Sequence, residues 1–308
     1  MRKIVFVITI ALMANITWGA LEWEENFEYS TGNLTTVGSP PWVSYSGTTN
    51  YIQVVTGNLT YGGYPSSGIG NKITLTYGTA EDAYCGFTSY SPPSSVYTAF
   101  LVNVANTTGL LGNTSTTGDY FAAFMPATST TLLFGRVSVR AGTVANTFQI
   151  GLRATSSNAS SVWNTADLDV GTTYLVVMKY KIVTGNANDT AYIWVNPTTG
   201  SSEPAYDLIQ ESALATDPAT VARLALRQGT NAVNASVDGI RVGTTWADVC
   251  PPTSTPFISV NPSSLNFGTA ALTDTSAEMS YTVFGSNLTA GITVTAPSTD
   301  FRVSLTSG

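Results

Sequence analysis

Histidine is absent from the 308-residue chain. Its absence excludes Ser-His-Asp and Cys-His catalytic machinery and every metal site that depends on imidazole ligands. Charged residues are also scarce, at 10% of the chain, and acidic residues outnumber basic ones by 19 to 12. Because phosphate binding requires a strong basic surplus, we expect no nucleic-acid partner.

Cysteine occurs only twice, as Cys85 and Cys250. An exported protein could join the two as a disulfide. Cys85 lies in a predicted strand, however, and Cys250 lies in a predicted linker. A buried free thiol is the simpler interpretation of Cys85, and the pairing of the two stays open.

Long hydrophobic runs are missing after the N-terminus, where no segment reaches the ~20 apolar residues that cross a bilayer. Residues 1–20 combine Arg2 and Lys3 with the apolar run 4–14 and with small residues before a plausible cleavage point. This pattern predicts a signal peptide, and therefore an extracellular or cell-surface location without a membrane span in the mature chain. Removing two of the 12 basic residues leaves 10 against 19 acidic ones, a net charge of −9.

What the chain does contain is Thr, Ser, Gly, Asn and Val in abundance, which favours β-structure. Short strands at regular intervals between turn-rich clusters predict an all-β sandwich or barrel. They are predicted near residues 51–55, 73–77, 83–89, 96–104, 120–124, 132–140, 148–155, 173–183, 190–196, 223–228 and 236–242. The single helical candidate is residues 205–214.

The predicted domain spans residues 21–249, with a first strand at 23–29 and a last strand within 236–246. We expect these two strands to lie side by side. Residues 250–256 are rich in proline and form a predicted linker. The following strands resemble the start of an immunoglobulin-like sandwich, which needs about 100 residues. Only residues 257–308 remain, so we expect an incomplete domain of a longer protein.

Two stretches carry a resemblance to known domains. The run Asp238-Gly-Ile-Arg-Val-Gly, together with Glu25-Asn-Phe-Glu-Tyr and residues 174–181, resembles the concanavalin A-like or laminin-G-like jelly rolls of large secreted bacterial surface proteins. The run 258–268 resembles the immunoglobulin-like modules that often follow them. The resemblance implies a jelly-roll β-sandwich followed by a truncated immunoglobulin-like β-sandwich, with glycans bound on a concave sheet face and calcium as a frequent structural companion.

Catalytic motifs are not apparent. The jelly-roll β-glucanases carry a Glu-x-Asp-x-(x)-Glu strand for two-carboxylate hydrolysis, and this chain has no such run. The nearest acid pairs, Glu81-Asp82 and Asp167-Leu-Asp169, lie beside turns without a third carboxylate. A tyrosine-based lyase stays open, although the sequence identifies no partner for the tyrosine.

Two carboxylates are candidates for a metal site. Glu25 shares the core-facing alternation of Phe27, and Asp238 shares that of Ile240. Adjacent terminal strands would therefore bring two acids together inside, where Ca²⁺ could compensate their charge. The alternative is that each acid meets an arginine, such as Arg227 or Arg241, or lies in solvent at a strand end.

Basic side chains alternate with apolar ones on three strands. Arg136 and Arg140, then Arg153, and then Lys179 and Lys181 are all predicted to face outward. If these strands are neighbours in one sheet, they form a positive strip whose ligand could be an acidic polysaccharide. The alternative is ordinary solvation of exposed cations.

Aromatic residues are frequent in the predicted loops. Several of them are flanked by Gly, Ser and Pro, which could hold their rings exposed for stacking on sugars. These residues are Trp42, Tyr45, Tyr64 and Trp163, with Tyr51, Tyr61 and Tyr90. The alternative is that these rings cover the ends of the core.

The sequence thus favours an extracellular, non-catalytic carbohydrate-binding or adhesion module of a larger protein, with a polysaccharide or cell-surface glycan as partner. A purely structural surface protein and a polysaccharide-degrading enzyme are the alternatives.

Overall fold

The computed structural model describes residues 21–251, apart from Pro40, Thr79 and Ser201, and beyond them residues 257–261, 265, 267, 276–286, 291–296 and 302. The predicted signal peptide and residues 252–256 of the predicted linker lie outside the described residues. Among the helices within them, none is both long and apolar enough to cross a membrane.

Regular structure in the described residues is almost entirely β, with two helices of a single turn each. In chain order the elements are β1 (Leu21–Glu25), β2 (Gly32–Asn33), α1 (Leu34–Val37), β3 (Val43–Ser46), β4 (Gln53–Val55), β5 (Lys72–Leu75), β6 (Asp82–Tyr90), β7 (Ser94–Asn106), β8 (Asp119–Met125), β9 (Phe134–Ala141), β10 (Thr147–Thr155), β11 (Val162–Trp163), β12 (Leu168–Asp169), β13 (Thr173–Ile182), β14 (Thr190–Val195), β15 (Leu208–Glu211), β16 (Val221–Leu226), β17 (Asn234–Gly243), α2 (Trp246–Val249), β18 (Phe257–Asn261) and β19 (Thr282–Ser286).

Two antiparallel sheets build the jelly-roll sandwich that the sequence predicts. The nine-stranded sheet has the order β15-β14-β13-β7-β17-β5-β4-β2, with β1 also paired to β17. The eight-stranded sheet has the order β11-β10-β9-β8-β16-β6-β3, with β12 also paired to β10. Central neighbours such as β7 and β17 come from distant parts of the chain, so the fold depends on long-range pairing rather than on hairpins alone.

The main core lies between the two sheets, where the inward side chains of both meet. Phe100 on β7 and Phe121 on β8 come from different sheets and contact each other edge to face, with ring centroids 6.0 Å apart. A second buried cluster covers the outer face of the nine-stranded sheet and includes Tyr64, Trp194 and Trp246. The outer face of the eight-stranded sheet has only a small apolar cluster.

The expectation that the two ends of the domain pair is confirmed. β1 is antiparallel to β17, with Glu25 opposite Ile240. The pairing of β17 with β7 slips between Asp238 and Arg241, which marks a β-bulge. Gly239 occupies the bulge with φ +56°, and a Cβ there would lie 2.3 Å from the Ser66 carbonyl oxygen. Only glycine fits this backbone without strain.

Three expectations need correction or completion. The predicted helix at 205–214 is wrong, because residues Leu208–Glu211 form the edge strand β15. Cys85 and Cys250 are both free and buried, and burial raises the pKa of each thiol to about 12. Cys250 therefore packs inside the domain, although the sequence placed it in the linker.

The residues after the linker contain one short antiparallel pair, β18 with β19, in which Phe257 is opposite Ser286. A further strand expected at 292–295 is wrong, because these described residues form no strand, and one expected at 301–305 lies outside the described residues except for residue 302. An immunoglobulin-like module in this region stays a prediction.

The contact between the sheets gives a first test. Phe100→Ala should lower the free energy of unfolding by about 3–5 kcal/mol, because it leaves a cavity between the two sheets. Val144→Ala, at a side chain that is 63% exposed, is the control and should change little. Urea unfolding measures both, and similar losses for the two variants would contradict this account of the core.

Candidate ligand-binding face

Arginines are concentrated on one surface. Of the six arginines within residues 21–251, five lie on the outer face of the eight-stranded sheet, hereafter the arginine face. They are Arg136 and Arg140 on β9, Arg153 on β10, Arg223 on β16 and Arg227 directly after β16.

Strand register places these side chains on a common face. Residues directly opposite each other in an antiparallel sheet share a face. Arg136 is opposite Arg153, and Arg223 is opposite Met125 of the small outer cluster. The residues that alternate with the arginines, such as Val137 and Leu224, belong to the core between the sheets.

Each of four arginines lies over an aromatic ring. The Arg136 and Arg227 guanidinium carbons are 4.5 and 4.4 Å from the centroid of the Tyr120 ring. Arg223 lies 4.5 Å from the Tyr84 ring, and Arg140 lies 4.2 Å from a ring of Trp163. Such stacking holds the flat guanidinium groups in place and leaves their N–H edges free for other partners.

The middle of the face has small residues between two aromatic ones. One row crosses four strands and consists of Tyr120, Ser138, Gly151 and Trp163. A Cβ on Gly151 would lie 2.6 Å from the Trp163 ring, so the indole packs directly against the glycine backbone. The Trp163 Nε1 donates to the Thr116 carbonyl at 3.1 Å, which fixes the ring at the sheet edge.

Ion pairs are few on this face. Among the described residues, Arg227 alone of the five has a carboxylate partner, Asp119 at 2.5 Å. Arg153 and Arg223 donate to backbone carbonyls of neighbouring loops. Arg140 donates to the Gln149 side chain at 2.9 Å and to the Ser115 carbonyl at 2.7 Å. Four guanidinium groups therefore have no carboxylate within ion-pair distance in the part of the chain that the structure covers. The charge of Asp167 acts on Arg140 from farther away, beyond the Gln149 amide that contacts both.

Arg136 has the most free hydrogen-bonding capacity. Its side chain is nearly buried, at 8% exposure, and only Nε is engaged, donating to the Leu133 carbonyl at 3.1 Å. Neither terminal nitrogen has a hydrogen-bond partner in residues 21–251, and burial lowers the pKa of the guanidinium. The buried Tyr45 hydroxyl likewise lacks a partner there, and the charges of Arg136 and Arg227 act on it.

The structure brings together four of the seven predicted ligand residues: Tyr45, Trp163, Arg136 and Arg140. The expectation of an exposed ring is wrong for Trp42, which is 2% exposed in the core and donates to Glu25. It is also wrong for Tyr64, which is 4% exposed and donates to the Gly239 carbonyl. Both rings seal buried regions, as the alternative interpretation held.

The predicted basic strip is divided between opposite sides of the sandwich. Lys179 and Lys181 lie on β13 of the nine-stranded sheet, not beside the arginines. Lys179 forms an ion pair with Glu203 at 2.8 Å and lies over the rings of Tyr97 and Tyr192. The prediction of one continuous strip is wrong because the chain crosses from one sheet to the other between β10 and β13.

Sequence reasoning missed Arg223, Arg227, Tyr84 and Tyr120. Their alternation with apolar residues on β6, β8 and β16 was visible in the sequence. What the sequence did not reveal is that β16 pairs with both β6 and β8, which places these side chains beside Arg136.

Glu25 and Asp238 do not share a face. Glu25 lies opposite Ile240 of the core, whereas Asp238 lies opposite Leu101 of the outer cluster. The bulge at Gly239 reverses the alternation between them. Each carboxylate is also occupied by neutral donors. Glu25 accepts from Phe27 N, Tyr29 and Trp42, and Asp238 accepts from Leu59 N and Gly239 N.

A single Ca²⁺ held by both side chains does not fit this arrangement. The alternative of arginine pairing is also wrong, since Arg227 pairs with Asp119 and Arg241 pairs with Glu24. Within the described residues there is no group of three or more Asp, Glu, Cys or His side chains placed to hold a metal ion.

No protein-family model and no curated protein sequence matches the chain. Solved structures match it at low identity. The globular domain of T. cruzi calreticulin is 13% identical, with 75% of this chain and 91% of that one covered and a TM-score of 0.43. An alginate lyase mutant in complex with an alginate trisaccharide is 14% identical, with 72% and 97% covered and a TM-score of 0.41.

The exoplasmic/lumenal domain of VIP36, in its Ca²⁺/Man3GlcNAc-bound form, is 10% identical, with 67% of this chain and 83% of that one covered and a TM-score of 0.35. At these identities and scores, the likenesses do not indicate which ligand this chain binds.

Asp238 provides a test of the buried bulge. Burial raises its pKa from 3.8 to about 7. A carboxyl group with a raised pKa stabilises the fold when protonated, so this contribution is present below about pH 4 and is lost as the pH rises toward 7. Asp238→Asn removes this titration. Its free energy of unfolding relative to that of the parent protein should therefore rise between pH 4 and 8, by at most about 4 kcal/mol. The loss of one hydrogen bond lowers the stability of the variant by the same amount at every pH.

Urea unfolding at a series of pH values measures this difference. Asp169→Asn, on the exposed edge of the sheet, controls for the removal of one charge. Stability curves of the parent and Asp238→Asn that run parallel between pH 4 and 8 would contradict the buried, protonated state of Asp238.

Proposed function

We propose that this chain is an exported, non-catalytic carbohydrate-binding or adhesion module, and that its arginine face binds acidic polysaccharide. The export follows from the predicted signal peptide in residues 1–20, and we place the protein outside the cell or at its surface. The observation that carries the proposal is the set of arginines on one sheet face that lack carboxylate partners.

Unneutralised arginines in a partly buried setting favour an anionic ligand. Removing a cation from water is costly unless an opposite charge or several hydrogen bonds compensate. Four of the five arginines form no ion pair with a carboxylate of the described residues, although the chain has 19 acidic residues. A ligand that brings its own carboxylates would supply what the protein does not.

The chemistry of the face also favours sugar rings that bear carboxylates. A guanidinium group binds a carboxylate through two parallel N–H donors, and both terminal nitrogens of Arg136 are unused. The rings of Tyr120, Tyr84 and Trp163 hold the guanidinium groups flat and in place for such contacts. A sheet face several strands wide suits an extended polymer better than a small ion.

Binding to alginate and polygalacturonate, with dextran as the neutral comparison, tests the proposal. We expect binding to the two acidic polymers that persists at physiological salt and weakens at high salt, and no binding to dextran. Arg136→Gln should weaken binding at least tenfold, since a hydrogen bond to a charged group contributes about 1.5–3 kcal/mol.

Lys181→Gln is the matched control, because it removes the same charge from the opposite sheet. Equal affinities for the parent and Arg136→Gln would refute the proposed site. Binding of dextran alone would refute the acidic ligand.

A second candidate function is cleavage of the same polymer by β-elimination. In that reaction a base removes the proton next to the uronate carboxylate, the C4–O4 bond breaks, a C4=C5 double bond forms and the leaving oxygen takes a proton. A tyrosine that removes the proton needs cationic neighbours, and the sequence identified none. The Tyr120 ring lies within 4.5 Å of the guanidinium carbons of both Arg136 and Arg227, which favours this candidate.

Ultraviolet absorbance of the conjugated double bond measures the elimination directly. If the chain is a lyase, absorbance should rise on incubation with alginate or polygalacturonate, and Tyr120→Phe should abolish the rise while retaining binding. The absence of any rise in the parent protein would leave the binding module as the function.

A further inference from the structure

Three buried oxygens meet at the end of the sandwich where β13 turns into β14. Tyr180 lies on β13, Asp189 directly precedes β14, and Asp217 lies between β15 and β16. Tyr180 and Asp189 have no exposed surface, whereas Asp217 is partly exposed. None of these residues belongs to the arginine face.

Backbone hydrogen bonds fix both carboxylates. One oxygen of Asp189 accepts from Val183 N at 2.8 Å. One oxygen of Asp217 accepts from Asn188 N at 2.7 Å and from Asp189 N at 3.1 Å. The β13–β14 turn and the segment after β15 are thereby joined, and each carboxylate has one oxygen engaged.

The remaining oxygens lack well-formed hydrogen bonds. Asp189 Oδ2, Asp217 Oδ1 and the Tyr180 hydroxyl are each buried and make no well-formed hydrogen bond within the described residues. Tyr180 is opposite Ala191 in the β13–β14 pair, which makes Asp189 its diagonal neighbour on the same face. The Tyr180 hydroxyl is therefore near enough to donate to Asp189, and the charges of both aspartates act on it. Buried oxygens without well-formed hydrogen bonds are rare in folded proteins, and water or an ion commonly satisfies them.

Charge decides which kind of ligand is missing. None of the ion pairs within the described residues involves either aspartate. The Asp217 carboxylate accepts from the backbone N–H of Asp189 itself, so two carboxylates lie at this end of the sandwich without a cation from the described residues. A buried water molecule would satisfy the oxygens and leave both charges, whereas a cation would neutralise them.

We propose that Asp189, Asp217 and Tyr180 form a Ca²⁺ site that joins the β13–β14 turn to the segment after β15. Two carboxylate oxygens and a hydroxyl are hard ligands of the kind Ca²⁺ prefers, and backbone carbonyls and water would complete its coordination. Ca²⁺ accepts irregular arrangements of oxygens, whereas Mg²⁺ requires a near-ideal octahedron. The partly exposed Asp217 provides the route of entry.

Thermal unfolding of chelator-treated protein, with and without CaCl₂, tests the site at neutral pH. A Ca²⁺ concentration about a hundredfold above Kd should raise the Tm by about 5–10 °C. Asp217→Asn keeps an acceptor for the backbone N–H groups and removes the charge, so it should abolish the rise. Tyr180→Phe keeps the packed ring and removes the hydroxyl, so it should reduce the rise.

Asp207→Asn is the matched control, because Asp207 also accepts a backbone N–H, from Val195 at 2.7 Å, away from the site. It should retain the full response to Ca²⁺. Terbium luminescence excited through tyrosine provides a second measurement that does not depend on unfolding, and Ca²⁺ should displace the terbium. A Tm of the parent protein that is unchanged by Ca²⁺, or a full response in Asp217→Asn, would overturn the proposal.

Discussion

The pairing of β17 with three other strands is the constraint on which the fold depends. β7 follows one edge of β17, while β5 and then β1 share the other edge. Gly239 lies where the partner changes, and its bulge lets the Tyr64 hydroxyl reach the Gly239 carbonyl at 2.6 Å. A side chain at this position would displace the backbone at Ser66, so one glycine determines how both ends of the domain close.

The bulge also makes the two outer faces of the sandwich different. Beside it, Leu59 N donates to Asp238, and residues 57–68 are held against the outer face of the nine-stranded sheet. The helix α2 covers the same face through Trp246, whose ring lies 5.0 Å from that of Trp194. The eight-stranded sheet has no comparable apolar cover within the described residues, and its outer face carries arginine and tyrosine instead. One face is therefore closed by packing and the other is left for polar chemistry.

Much of the fold could be predicted from local patterns, because alternation in the sequence reports burial directly. Ten of the predicted strands overlap β5–β10, β13, β14, β16 and β17, and the pairing of the domain ends is confirmed. Alternation does not reveal which sheet a strand joins, so Lys179 was grouped with Arg136, and Tyr120 was not noticed. It also fails across a bulge, where Asp238 and Ile240 have the same parity and opposite faces. Both failures arise from long-range pairing, which a single sequence does not encode in any short segment.

The electrostatics of the proposed face act differently at long and short range. The 308-residue chain has a net charge of −7, so an acidic polymer is repelled while it is distant. At physiological salt this repulsion fades beyond about 8 Å, whereas contacts at Arg136 are made at hydrogen-bond distance and in a nearly buried setting where screening is weak. Moderate salt therefore removes the long-range opposition before it removes the short-range attraction. A ligand that cannot place carboxylates against the guanidinium groups experiences only the repulsion, which makes the overall acidity of the chain a source of selectivity.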